Sequence, residues 1–289
     1  MGELLWDQFS DGPRLGGAAA NVAYHAARAG AESYLISRVG RDTWGQRALR
    51  LLALNHVDVS HIGIDRNFPT GQVEVELVAG QPRFRIRMGA AWDHIESNSA
   101  NRSLLMSADA ICLGTLGQRT PLMQTQISHL LRAISRKGAV SVLGGAAARR
   151  PLLLFDLNLR PPHTGWEAIM SVLPFADVIK LNEQEYNWLT QACAPRDPID
   201  FLLSQGPAQL VALTKGEQGA SLFARHIQCH LPGNAVSGGD PVGAGDAFFA
   251  HMALALVQRR PLPEVLERAN REAAWVASQA GAMPGLVSR

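Results

Sequence analysis

Gly243, Ala244 and Gly245 run straight into Asp246, and Asp246 into the almost unbroken apolar run Ala247–Val257. Small residues at a helix start leave several backbone N–H groups unpaired and unobstructed, and these, with the helix dipole, bind negative charge. A carboxylate beside such a site suggests two linked roles. Asp246 would take a proton from a substrate hydroxyl, while the amides of Gly243, Ala244 and Gly245 would form an anion hole for a phosphoryl group in transfer. The alternative is structural: acids favour first turns, and Asp246 would then merely cap a buried helix. No Lys-Ser/Thr pair follows the glycines, so the stretch is not a Walker A loop. A second glycine pair, Gly16-Gly17, precedes a helix expected to stop at Gly30, a glycine past its C-terminus. Asn21 falls in the first turns of that helix, where it either hydrogen-bonds a polyol or caps the helix.

These residues need elements to hold them. Ser33–Gly40 reads as a strand, followed by a helix over Asp42–Asn55 with Asp42 as N-cap. "ADAICLGTLG", "LLLFDLN", "ADVIKLN" and "QLVALTKG" are further apolar runs of strand length. Helical patterns over 121–136 and 183–191 follow two of them. Strands apolar on both faces and separated by helices imply a mostly parallel, doubly wound α/β sheet flanked by helices. The whole of 1–289 reads as a single domain.

Residues 70–88 break this pattern, because they alternate strictly. Val73, Val75 and Leu77 point one way, with Gln72, Glu74 and Glu76 opposite; after a turn at Gly80, Phe84, Ile86 and Met88 alternate with Arg83, Arg85 and Arg87. This is a half-buried antiparallel hairpin, acidic on one strand and basic on the other. It is either an edge hairpin of the main sheet or a small β-flap that covers a ligand cleft or pairs with a second subunit. Residues 138–151 are of low complexity and read as a surface excursion.

Composition narrows the function classes. Apolar residues make up 47% and charged residues 18%, an ordinary globular composition. A net charge of +2 argues against nucleic acid or an anionic membrane surface as the main partner. No apolar run approaches the ~18 residues of a membrane helix. The N-terminus carries acids early, unlike a secretory signal. Cys112, Cys193 and Cys229 lie far apart and form neither a CxxC pair nor a zinc spacing, so a reduced, cytoplasmic setting is expected.

Several motifs in a fixed order resemble the ribokinase-like, or PfkB, family of carbohydrate kinases. "GGAAANVAYHAARAGAESYLISRVGRDTWG" resembles the family's N-terminal signature, with Gly40, Asp42 and Gly45 in its G-x-D-x-x-G portion. "DPVGAGDAF" resembles the C-terminal D-T-x-G-A-G-D signature, with Pro241 in place of the threonine. "DLNLRPP", "KLNEQE" and "TKGEQGA" match intermediate motifs between them, so the resemblance covers nearly the whole chain.

The resemblance implies a ribokinase-like fold and a role for each matched position. Asp246 matches the catalytic base. Asp7, Gly16, Gly17 and Asn21 match sugar-binding positions, with Asp7 accepting from adjacent hydroxyls, unless it is a solvated loop acid. Asn158 and Arg160 match a polar pair near the phosphates, with Arg160 also facing the substrate. Lys180, Thr214, Lys215, Gly216 and Gly219 match the nucleotide-phosphate region, and Asn270 matches a position near the base. Asn182 and Glu185 match an N-x-x-E motif that organises magnesium and phosphate, through water; their plainer reading is a capping box. The implied ligands are ATP and Mg2+, with a monovalent cation such as K+ required by some members. The hairpin, within a lid segment of about 60–90, matches a sugar-covering lid that also forms a homodimer interface in some members.

"GELLWD", "DLNLRPP" and "AAWDHI" point toward fructokinase-like sugar kinases within the family. The alternatives are a 2-keto-3-deoxygluconate kinase, whose acidic substrate needs a cationic partner, and a ribokinase-type activity. A non-catalytic sugar or nucleotide sensor is the reading from another class; a sensor has no need of a base at Asp246. A Rossmann dehydrogenase is excluded, for lack of an early G-x-G-x-x-G. Family members usually carry a full apolar strand before the Gly-Glu that here is Gly2-Glu3. The expectation is therefore a native protein longer than this chain, with Asp7 just past a strand end; Leu4, Leu5 and Trp6 sufficing as a shortened strand is the alternative.

Overall fold

A computed structural model describes residues 1–78, 81–135, 141–142, 150–234, 236 and 238–287, with 75–78 and 81–84 taken as backbone. The chain begins β1 (Leu5–Phe9), β2 (Gly12–Gly16), α1 (Ala18–Arg28), β3 (Ser33–Tyr34), β4 (Ser37–Gly40), α2 (Thr43–Leu54), β5 (Val57–Asp58) and β6 (Ile62–Asp65). There follow β7 (Gly71–Val78), β8 (Gln81–Ile86), α3 (Ser99–Ser107), β9 (Ala110–Gly114), α4 (Pro121–Ser135), β10 (Leu152–Asp156), α5 (Trp166–Val172) and β11 (Val178–Asn182). The last part holds α6 (Glu183–Ala192), α7 (Pro198–Ser204), β12 (Leu210–Thr214), β13 (Ala220–Ala224), β14 (Ile227–Leu231), α8 (Ala244–Val257) and α9 (Leu262–Ala277).

The main sheet has the order β14-β13-β12-β11-β10-β9. From β9 to β12 neighbouring strands are parallel, and β13 and β14 are antiparallel additions. Its apolar strands are explained by burial on both faces. In β10, Leu153 and Phe155 join the core that contains Met123 and Ile127 of α4, while Leu152 and Leu154 join the core of α8 and α9. In β12, Val211 and Leu213 face the first core, Leu210 and Ala212 the second. The doubly wound α/β architecture is thus realised.

The hairpin is not an edge of that sheet. β7 and β8 pair antiparallel, Glu74 opposite Arg85 and Glu76 opposite Arg83, in a separate sheet of order β2-β1-β7-β8. The Gly80 turn lies outside the described residues. Most of 138–151 does too.

Two expectations need correction. Ser33–Gly40 is two short strands, because the segment changes partner: β3 pairs with β5 and β4 with β6, while between them the Leu35 N–H bonds to Asp58 O and Ile36 O accepts from Gly2. Asp7 is not past a strand end but inside β1, paired with Arg14 on one side and Val73 on the other. β1 can include a charged residue because its two faces differ. Leu4 and Trp6 enter the core under α1 and α2, whereas Leu5 faces Val73, Ile86 and Leu116.

Candidate active site

The face of the main sheet that meets α8 changes character at the strand ends. On that face Leu154 is succeeded by Asp156, and Val178 by Lys180. Lys180 Nζ donates to Asp156 Oδ2 at 2.8 Å, and both side chains are buried. Burial works to lower the lysine's pKa, but Asp156 and Glu185 outweigh it and hold the ammonium above its ordinary value. The ends of parallel strands, where this pair sits, are the usual ligand crevice of an open α/β sheet.

The start of α8 lies over this pair. Lys180 Nζ is 3.3 Å from where a side chain on Gly245 would begin. Gly243 is the N-cap, at φ 83°, and Asp246 sits in the first turn. The Ala244 N–H turns back to Pro241 O at 3.2 Å, which removes it from the expected anion hole. Among the described residues, the amides of Gly243 and Gly245 have no such partner. Asn21 Nδ2 donates to Asp246 Oδ2 at 2.7 Å. Burial raises the Asp246 pKa to about 7, Asn21 and Lys180 working against the rise and Asp156 with it.

A cavity of about 940 Å³ is lined by Asp246 and by two groups of wall residues, its two arms. One arm is walled by Leu5 and Asp7 of β1 and by Glu3 just before it, at alternate positions, together with Val73 and Ile86 from the hairpin. The Asp7 pKa is raised to about 7 by burial, against the pull of Arg160 and Arg14. Gly16 does not line the cavity. It lies behind Asp7, where any Cβ would fall 2.1 Å from the carboxylate. Gly17 and Asn21 complete this arm; Asn158 and Arg160 also line the cavity, with Arg160 near both Asp7 and Asp246.

The other arm is lined by Thr214, Lys215, Gly216 and Gly219, and beyond them by Asn270 with Ala273 and Ala277 of α9. The Asn270 amide donates to Leu231 O at 3.3 Å, so the residue ties β14 to α9 at the rim. Asn182 lines the cavity, but Glu185 does not. Asn182 Oδ1 accepts from the Glu185 N–H, while the Glu185 oxygens accept from Asn182 and Leu159 N–H groups at 2.8 Å each. The capping box is therefore real, and it leaves Glu185 no oxygen free of a partner. Among the described residues no three acidic, histidine or cysteine side chains converge as metal ligands. This donor set fits a Mg2+ ion that keeps its waters and is held mainly by phosphate oxygens.

The G-x-D-x-x-G portion has a mechanical role. Asp42 caps α2 through the Gly45 N–H at 2.8 Å and also accepts from Thr70 N at 2.8 Å and Thr70 Oγ1 at 2.7 Å. It thereby roots the hairpin, whose strand β7 begins at the next residue. Sequence reasoning missed Glu3, Leu5 and Asp156 as site residues. The two-residue spacing Glu3-Leu5-Asp7 was the available signal.

The model of the "pfkB family carbohydrate kinase" matches residues 3–289. The chain belongs to this family. It is a sugar kinase, a phosphotransferase of the ribokinase-like fold. Fructokinase-1 of Oryza sativa subsp. japonica is 27% identical over 287 residues, covering 94% of this chain and 84% of that protein. An uncharacterized sugar kinase from Pyrococcus horikoshii, solved in complex with ATP, superposes with a TM-score of 0.83 at 26% identity, over 98% of this chain and 92% of that one. Fructokinase from Xylella fastidiosa with bound ATP gives a TM-score of 0.84 at 23% identity, with the same coverage. In this kinase, Asn21 of the N-terminal signature and Asp246 of the C-terminal one meet in a single hydrogen bond. No helix among the described residues is long and apolar enough to cross a membrane.

Proposed function

We propose that this kinase transfers the γ-phosphoryl group of ATP to a hydroxyl of a small free sugar, with fructose as the lead substrate. The observation that carries the reading is Asp246 itself. It is a carboxylate with a pKa near 7, hydrogen-bonded to Asn21 and set in the lining of the same cavity as Asp7 and Lys215. A base poised near neutral pH takes a hydroxyl proton most effectively. Asp7, on the β1 wall, accepts from sugar hydroxyls. The free amides of Gly243 and Gly245 hold the phosphoryl oxygens as charge builds on them. Thr214, Lys215, Gly216 and Gly219 hold the nucleotide phosphates, and Arg160 and Lys180 add positive charge near Asp246. Mg2+ belongs beside Asn182 and Glu185, through water, where it neutralises phosphate charge. The β7–β8 hairpin acts as a lid within one kinase domain, because Val73 and Ile86 at its root already line the sugar arm.

The test is ATP consumption with Mg2+ and a panel of free sugars that includes fructose, ribose and 2-keto-3-deoxygluconate, followed by product analysis. Fructose phosphate as the product with the highest kcat/KM is expected. Phosphorylation of another sugar alone would overturn the fructose assignment, and no ADP formation with any sugar would favour a sensor.

A further inference from the structure

Glu3 is a buried carboxylate that the phosphoryl-transfer scheme does not use. It is 3% exposed, and its Oε1 accepts the Ala18 N–H, the first amide of α1, at 3.0 Å. That helix has no capping side chain of its own: its N-cap is Gly17, and its first turn contains no acid. Helix N-termini need acceptors for their first amides and favour negative charge. Glu3 supplies the acceptor from fifteen residues away. The backbone around Glu3 is fitted to the helix as well. Gly17 has φ 103°, and a Cβ there would fall 2.5 Å from Glu3 O; a Cβ on Gly2 would fall 3.1 Å from the Ala19 side chain.

One turn along α1 stands Asn21, whose N–H bonds back to Gly17 O at 2.9 Å. The Asn21 side chain is anchored at one end only. Its Nδ2 meets Asp246, and its buried Oδ1 has no partner among the described residues. Nothing else in the amide's surroundings therefore fixes its reach. Where α1 begins decides how well Asn21 meets the carboxylate.

We infer that Glu3 is a positioning residue for the catalytic base, capping α1 from the segment that leads into β1 and so holding Asn21 against Asp246. The inference rests on Asp246 as the base of the proposed reaction. The groups facing Asp246 are Asn21 on α1, Asp156 on β10, Lys180 on β11 and Arg160; Glu3 faces Arg160 and the Met1 ammonium. Glu3 thus acts on the base through Asn21.

The test follows the titration of Asp246 directly, by ¹³C NMR of protein labelled at the aspartate carboxyl carbons, with Asp246→Asn identifying the signal. This readout needs no turnover, so it remains valid if the proposed reaction proves wrong. Glu3→Ala should raise the Asp246 midpoint by about one pH unit, the size expected for a weakened hydrogen bond to a charged group. Glu3→Gln keeps an oxygen for the Ala18 N–H and should return the midpoint to the wild-type value. Ala18→Pro removes the same N–H at a helix position that tolerates proline, and should reproduce the Glu3→Ala shift even if that variant folds poorly. The acid limb of kcat in ATP–fructose turnover should move in parallel. An unchanged midpoint in Glu3→Ala and Ala18→Pro, or a Glu3→Gln shift as large as that of Glu3→Ala, would overturn the inference. In Asp246→Asn, wild-type turnover beside shifted midpoints in the Glu3 variants would overturn the proposed reaction and leave the capping relationship standing.

Discussion

Asn21 reaches Asp246 across 225 residues of sequence, its Nδ2 donating to Oδ2 at 2.7 Å. The contact joins the two ends of the chain's motif set, because α1 packs along α8. A donor on the charged form favours ionisation, so Asn21 opposes the rise that burial imposes on Asp246. Asn21→Ala should therefore move the acid limb of kcat upward by about one pH unit, since a hydrogen bond to a charged group contributes ~1.5–3 kcal/mol. A pH–rate profile measured at saturating sugar and ATP checks this.

The same raised pKa has a cost in stability. Between the unfolded value of 3.8 and the folded value of about 7, native Asp246 binds more protons than the unfolded chain. Stability from this group is thus complete below pH 4 and is lost as pH rises through 7. Asp246→Asn should be more stable than the wild type at pH 8, by up to about 4 kcal/mol, and nearly equal to it near pH 4. Melting temperatures across that range decide the matter; an unchanged difference at both ends would contradict it.

Lys180 and Asp156 form a buried pair, with Asp156 Oδ1 unpartnered among the described residues. Lys180→Met leaves that carboxylate alone under α8. Loss of one partner of a buried pair costs about 3–5 kcal/mol. The variant should melt well below the wild type, and Lys180→Met with Asp156→Leu should recover most of the loss. Thermal unfolding of both variants checks this.

Thr70 links Asp42 and the Gly40 N–H through its hydroxyl, 2.7 and 2.9 Å away, at the foot of the hairpin. Thr70→Val keeps the shape and removes both bonds. If the hairpin is the lid of the sugar arm, KM for the sugar should rise several-fold while KM for ATP stays unchanged. An equal rise in both would place the effect in the fold rather than the lid.

The sequence made the main sheet legible because β10, β11 and β12 are apolar on both faces and short. The Asp246 helix start and the Asn182–Glu185 box were legible because their signals are local in the chain. What escaped is non-local. Asp7 lies inside β1 because β2 and β7 pair with it from both sides, and no local pattern reports that. The Ala244 amide turns back on Pro241, a detail of loop geometry rather than of residue type. Glu3 resembles an ordinary terminal acid until α1 folds over it.

The role of Asp246 is the centre of this account, and turnover by Asp246→Asn tests it most directly. General-base catalysis contributes ~10²–10⁴ in rate. With fructose, ATP and Mg2+, the variant should lose at least ~10² in kcat, while ATP affinity measured by calorimetry stays close to the wild-type value. Turnover near the wild-type rate by a folded Asp246→Asn would contradict the account.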